Sequence, residues 1–211
     1  MTVNLLGIRL MHRSMRADTR LLADALKKLA NENRVADVAR LDAIAAFTIT
    51  LCEGIHHHHM LEDRALWPVI VKAAGAEVDL SDLTDDHAEL DPILDEITAA
   101  ARRIRSDRDA VRLMGKTLGS LADLLDEHIE EEERLLFPII TKYVSEQDWN
   151  RIDEMARKAS DPRFDLPRFE QHGRPDEVAE FRRQGGPMLR IMLAIFRKAH
   201  RRRQRLILGT S

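Results

Sequence analysis

The chain has 211 residues, 44% of them hydrophobic and 33% charged, with a formal charge of −3. That length suits one hydrophobic core with room for an appendage, and the near-balanced charge excludes a surface built throughout for nucleic acid. Aromatic residues make up only 4%, and Ala, Leu, Arg, Asp and Glu dominate over Pro and Gly, which argues against sheets and for an all-α fold.

The first helical pattern runs from about Val3 to Leu29, with Ile8, Met11, His12, Met15, Leu22, Leu26 and Leu29 on one broad stripe, and ends at Asn31-Glu32-Asn33. The second covers about Ala36 to Ala74 and ends at Gly75. Its stripe carries Ile44, Phe47, Leu51, Ile55, His58, Glu62, Leu66 and Val69. The third opens near Ser81 or Asp82 as N-cap and reaches about Arg105, with His87 as its one inward polar residue. The fourth begins near Asp107 and continues to about Tyr143, with His128 and Glu132 among Leu118, Leu121, Leu125, Leu136 and Ile139. Short connections favour antiparallel neighbours, so these four segments predict an antiparallel up-down-up-down four-helix bundle over residues 1–144.

Residues 145–211 read as a C-terminal helical extension. It begins with a short helix, Glu146 to Ala159, followed by an irregular stretch from Ser160 to Pro175. Two further helical pieces follow, about Asp176 to Gln184 and Met188 to Gln204, separated by Gly185-Gly186-Pro187.

One block of the sequence occurs twice. His58-His59-Met60-Leu61-Glu62-Asp63-Arg64-Ala65-Leu66-Trp67-Pro68 returns as His128-Ile129-Glu130-Glu131-Glu132-Glu133-Arg134-Leu135-Leu136-Phe137-Pro138. Each copy holds His-x-x-x-Glu, and residues four apart stack on one helix face, so each projects an imidazole and a carboxylate in the same direction. Pro68 and Pro138 each remove a backbone donor, which predicts a kink or helix end just past each pair. Carboxylates on an apolar stripe are costly to bury without compensation. A pair of bound cations would supply that compensation, and a polar layer of His–Glu ion pairs is the alternative.

These motifs resemble the hemerythrin-like family, the HHE cation-binding domains, over about residues 3 to 143. The family pattern is a histidine on helix one, His-x-x-x-Glu on helix two, a histidine on helix three and His-x-x-x-Glu or Asp on helix four, matched here by His12, His58/Glu62, His87 and His128/Glu132. The resemblance implies a centre of two non-heme iron ions, bridged by Glu62 and Glu132, with His12, His58, His87 and His128 as terminal ligands. Such mixed ligation also suits manganese or zinc. Oxygen-carrying members have a further histidine one turn after the helix-three histidine. This chain has Asp91 there, leaving one ion short of an imidazole or ligated by another carboxylate.

The function implied is binding of, or reaction with, a small oxidant or gas such as hydrogen peroxide, dioxygen or nitric oxide, with or without turnover. The second reading is a sensor, buffer or store for oxygen, nitric oxide or iron. His56, His57 and His59, beside His58, are expected at the surface or as outer supports, and at most two of the four successive histidines face the core. Glu130, Glu131, Glu133 and Asp63 read as a solvated acidic face, and Tyr143 as packing. His172 and His200 lie in the extension without ligand spacing.

The segment Met188 to Phe196 is apolar nearly all round and is followed by Arg197, Lys198, Arg201, Arg202 and Arg203. It is expected to pack on the bundle or form a homodimer contact, with a peripheral anionic membrane as the rival and no nucleic acid, since stacking aromatics are nearly lacking there. Cys52 is the only cysteine, so no intrachain disulfide forms and a reducing compartment fits; the residue reads as buried filler. With no signal-peptide pattern and no run near the ~20 apolar residues of a membrane span, a cytoplasmic location is the expectation.

Overall fold

The computed structural model describes residues 3–32 and 37–210. Asn33 and the expected helix start near Ala36 lie outside the described residues. Among the described residues the chain is helical and contains no strand: α1 Leu6–Asn31, α2 Val38–Leu61, α3 Trp67–Ala74, α4 Ser81–Arg103, α5 Arg108–Tyr143, α6 Glu146–Ala159, α7 Pro162–His172 and α8 Pro175–Leu208. No helix among them is long and apolar enough to cross a membrane.

Local chemistry fixes most boundaries. The side chains of Asp37, Asp107, Ser145 and Asp161 each accept a first-turn amide of the helix that follows, relieving donors that have no partner within the helix. α4 departs from the expectation that Ser81 or Asp82 caps it. Leu80 holds the cap position, and Asp79 Oδ1 accepts both the amide and the hydroxyl of Ser81.

The long second segment is not one α-helix. A π-turn, Glu62–Leu66, separates α2 from α3, with Pro68 in the first turn of α3 and Gly75, at φ 59°, ending it. The predicted break is therefore present, but it starts at Glu62 itself. In the second copy Pro138 stays inside an uninterrupted α5.

Helix α1 packs on α5 and α2, and α4 on α5 and α2. Arg16 pairs with Asp126 and Arg20 with Asp123, while Leu26 lies against Gly115, so rising numbers on α1 meet falling numbers on α5. His56–Asp91 and Asp42–Arg105 relate α2 to α4 in the same reversed order. Two apolar clusters fill the interior. The larger includes Met15, Leu22, Phe47, Ile55, Leu90, Leu125 and Ile129; the smaller includes Leu5, Leu66, Trp67, Leu83, Leu136, Phe137 and Trp149. Along each of the four long segments the conspicuous histidines and glutamates fall between these clusters.

The extension corrects one expectation. The stretch read as irregular contains α7, started by Asp161 and Pro162 and held by burial of Phe164, Pro167 and Arg168. Pro167 costs one backbone hydrogen bond, and tertiary packing overrides it. Arg168 enters the interior as one arm of an ionic knot: its Nε lies 2.5 Å from Asp18 Oδ2, its Nη1 2.9 Å from Asp165, and His172 Nε2 3.0 Å from Asp18 Oδ1. The two expected C-terminal pieces are present, taken together here as α8 and separated by a kink at Gly186, whose non-helical φ of 59° suits glycine. α8 packs against α1, α2 and α7 through Leu189, Leu193, His200 and Ile207, leaving Met188, Ile191 and Ile195 exposed.

Candidate metal centre

Four segments deliver buried polar side chains to one level between the apolar clusters. His12 comes from α1, His58 from α2, Glu62 from the π-turn, His87 from α4, and His128 and Glu132 from α5. All but His58 are under 5% exposed, and His58 retains 10%. Two groups have donor atoms within 4.8 Å of one another: His12, His58, Glu62 and Glu132 form one, and His59, His87 and His128 the other.

Glu62 spans both groups. Its Oε1 lies 3.1 Å from His58 Nε2 and 4.0 Å from His12 Nε2, while Oε2 lies 3.6 Å from His87 Nε2. Glu132 Oε2 is 3.4 Å from His12 Nε2. His12 and His58 bring their Nε2 atoms to 3.0 Å, and His87 and His128 theirs to 3.2 Å, so each half presents two inward nitrogens.

Outer carboxylates decide which nitrogen carries the proton. Glu133 Oε1 lies 3.0 Å from His12 Nδ1, Asp63 Oδ1 2.9 Å from His87 Nδ1, and Asp86 Oδ2 3.0 Å from His128 Nδ1. An ionised carboxylate only accepts, so each Nδ1 donates, and in the neutral ring it is then Nε2 that offers a lone pair. The lone pairs of His87 and His128 then face each other at 3.2 Å, an arrangement that repels unless a cation lies among them. Glu133 and Asp63 are thus more than a solvated acidic face. Each follows a repeat glutamate: Glu133 of α5 orients His12 of α1, and Asp63 of the π-turn orients His87 of α4.

Burial, and next the charges of neighbouring imidazoles, hold His58 and His59 well below the ordinary imidazole range; burial also lowers His87, against the opposing hydrogen bond to Asp63. Burial first, and the neighbouring Glu132 carboxylate second, push Glu62 well above the usual carboxylate range. Neither carboxylate has a hydrogen-bond partner for either oxygen, and both ring nitrogens of His59 also lack one. Each buried ion costs several kcal/mol, a large share of the about 5–15 kcal/mol that keeps a domain folded. Inward-facing imidazole nitrogens around unpartnered carboxylates fit a divalent or trivalent cation.

His59 departs from the expectation of a surface or outer position. It is 2% exposed, and its ring stacks on His87 with centroids 4.3 Å apart and planes 12° from parallel. The signal lies in the four-histidine run, where two residues can face inward; His56 and His57 are the exposed pair. Asp91 is not with the group. Its half-exposed side chain bonds His56 Nδ1 at 3.0 Å, and His59 is the third imidazole beside His87 and His128. His172 and His200 belong to the extension: His172 joins Asp18, and His200 bonds Gln171. Tyr143 donates its hydroxyl to Glu77.

A family model for the hemerythrin HHE cation-binding domain matches residues 7–140. The chain belongs to this family. Comparison with curated proteins gave no match, and neither did comparison with solved structures. Membership makes this hemerythrin-type domain a metal-binding helical unit, and the His/Glu group is the place in it with the chemistry to hold metal. The match ends before α6, so the extension lies outside it.

Proposed function

We propose that this hemerythrin-type chain is a non-heme di-iron protein that binds or reacts with a small oxidant or gas, such as hydrogen peroxide, dioxygen or nitric oxide. The observation that carries the reading is the pair of buried carboxylates, Glu62 and Glu132, whose four oxygens have no hydrogen-bond partner while histidine nitrogens surround them. In this reading Glu62 and Glu132 would hold the ions, together with His12 and His58 on one side and His87, His128 and His59 on the other. The reversed registers of α1 with α5 and of α2 with α4 support an antiparallel up-down-up-down bundle over residues 1–144, with residues 145–211 packed on it.

Iron bound there supplies redox chemistry and Lewis acidity. The chain does the rest. Glu133, Asp63 and Asp86 keep three imidazoles aimed inward. Phe137 stacks parallel to His12 at 6.2 Å, Trp67 stacks on His87 at 5.9 Å, and the two apolar clusters keep bulk water from the level between them.

The test is to purify the chain, count iron per chain and follow its optical spectrum as peroxide is added. Repeated turnover identifies an enzyme. A stable gas adduct without turnover identifies a sensing, buffering or storage module. A chain that holds no more than trace metal refutes the reading.

A further inference from the structure

The metal-type group is not enclosed equally on all sides. A cavity of about 130 Å³ reaches His58 and Glu62. Its apolar wall comes from Ile8 and Met11 of α1, Leu61 of α2, and Trp149, Ile152 and Ala156 of α6. A second cavity, of about 210 Å³, shares Met11, His58, Leu61 and Ala156 with the first and continues between α2 and α7. α6 and α7 both lie outside the matched residues 7–140, so one wall of this space is supplied by the extension.

The single inward histidines of α1 and α4 differ in the residue before them. Asp86 precedes His87 and fixes His128 Nδ1 at 3.0 Å. The corresponding residue before His12 is Met11, which has no carboxylate to offer His58 and lines both cavities instead. His58 is accordingly the most exposed of the expected ligands. α6 is held over the space by Trp149 Nε1, which donates to the Asn4 carbonyl at 2.9 Å, and Gly7 brings α1 close to Asp153.

We infer that the seam between the bundle and α6–α7 is a binding site and entry route for small uncharged apolar molecules, and that the extension is the wall that selects them. The route leads to the metal centre proposed above and rests on that reading; the site itself does not. Apolar cavities of about 150 Å³ take up benzene or xenon, and the first cavity is close to that size. Arg157, the cation on its lining, is already paired with Asp153 at 3.2 Å, and Glu62 adds a carboxylate, so an anion would lose its hydration without replacement. Diatomic gases and compact hydrocarbon-like molecules satisfy both limits.

Xenon binding to the full-length metal-free chain, read by xenon NMR and by quenching of tryptophan fluorescence with dioxygen, tests the site. The wild-type chain takes up xenon in a saturable manner, Ala156→Phe and the milder Ala156→Leu weaken that uptake, and Met11→Ala enlarges it. In the iron-loaded chain the probe is nitric oxide. Its association slows about tenfold or more in Ala156→Phe, the low end of the on-rate changes seen among mutants of one binding interface, at unchanged iron content.

No saturable xenon uptake by the wild-type chain, or uptake indifferent to both Ala156 variants, overturns the site. Unchanged nitric oxide association in an Ala156 variant with normal iron overturns the route. Xenon uptake in a chain that never holds iron supports the site while refuting the metal reading, so the two failures are distinct.

Discussion

His59 lies face to face with His87, its ring 4.3 Å away and inclined by 12°, and supplies the third imidazole that Asp91 does not replace. With His128 these form a group of three imidazoles, whereas the opposite half has only His12 and His58. Ile129 stands where the repeat would place a counterpart of His59. His59→Leu is therefore expected to halve the metal content per chain, measured by elemental analysis. His57→Leu leaves it unchanged, and equal loss in both variants would contradict the assignment.

The outer carboxylates make a second prediction. Asp63→Asn and Glu133→Gln keep the shape but weaken the orientation of His87 and His12. Loss of such an outer partner typically lowers metal affinity about 10–100-fold. Competition with a chelator measures it, and the exposed neighbour Glu130→Gln is the control. Glu62→Ala and Glu132→Ala, which remove the central carboxylates, are expected to empty the site.

Arg168 is buried against Asp18, so Arg168→Ala leaves a carboxylate in the interior without its main counter-charge. Breaking a buried pair from one side costs about 3–5 kcal/mol. Denaturant unfolding reads that loss. His172→Ala removes another partner of Asp18 and should lower stability without changing metal content.

Acid should loosen the same region. Burial, with the Arg203 charge second, lowers His200 to about 4, whereas an imidazole in an unfolded chain titrates near about 6.5. Between those values the unfolded chain binds more protons, so stability rises with pH and is lost as pH falls through the window. Burial would raise Asp18, but the His172 hydrogen bond and the Arg168 charge outweigh it and keep it below its ordinary 3.8. The contribution of Asp18 is present above that value and disappears as pH falls through the folded one. Thermal midpoints measured from pH 7 to 4 should drop in the wild-type chain and drop less in His200→Gln.

Cys52 is 3% exposed, and burial pushes its thiol up to about 12. Since the thiolate is the reactive form, it should resist alkylation in the folded chain and react once denatured. Mass spectrometry checks both states.

Most of the helices, the four repeat residues His58, Glu62, His128 and Glu132, and the inward places of His12 and His87 are legible in the sequence because periodicity and spacing are local properties of the chain. His59 is harder to read, since its neighbours in the histidine run differ from it only in direction. What Asp63 and Glu133 do depends on which helix lies opposite, and adjacent sequence does not contain that. α7 is hidden by Pro162 and Pro167: its helix depends on Phe164 and Arg168 finding a core that the preceding segments build.

The bond between Arg168 and Asp18 joins positions 150 apart in the chain. During synthesis α1 emerges first, and its Asp18 must stay hydrated until α7 has left the ribosome. Contacts this distant slow folding because loop closure precedes their reward.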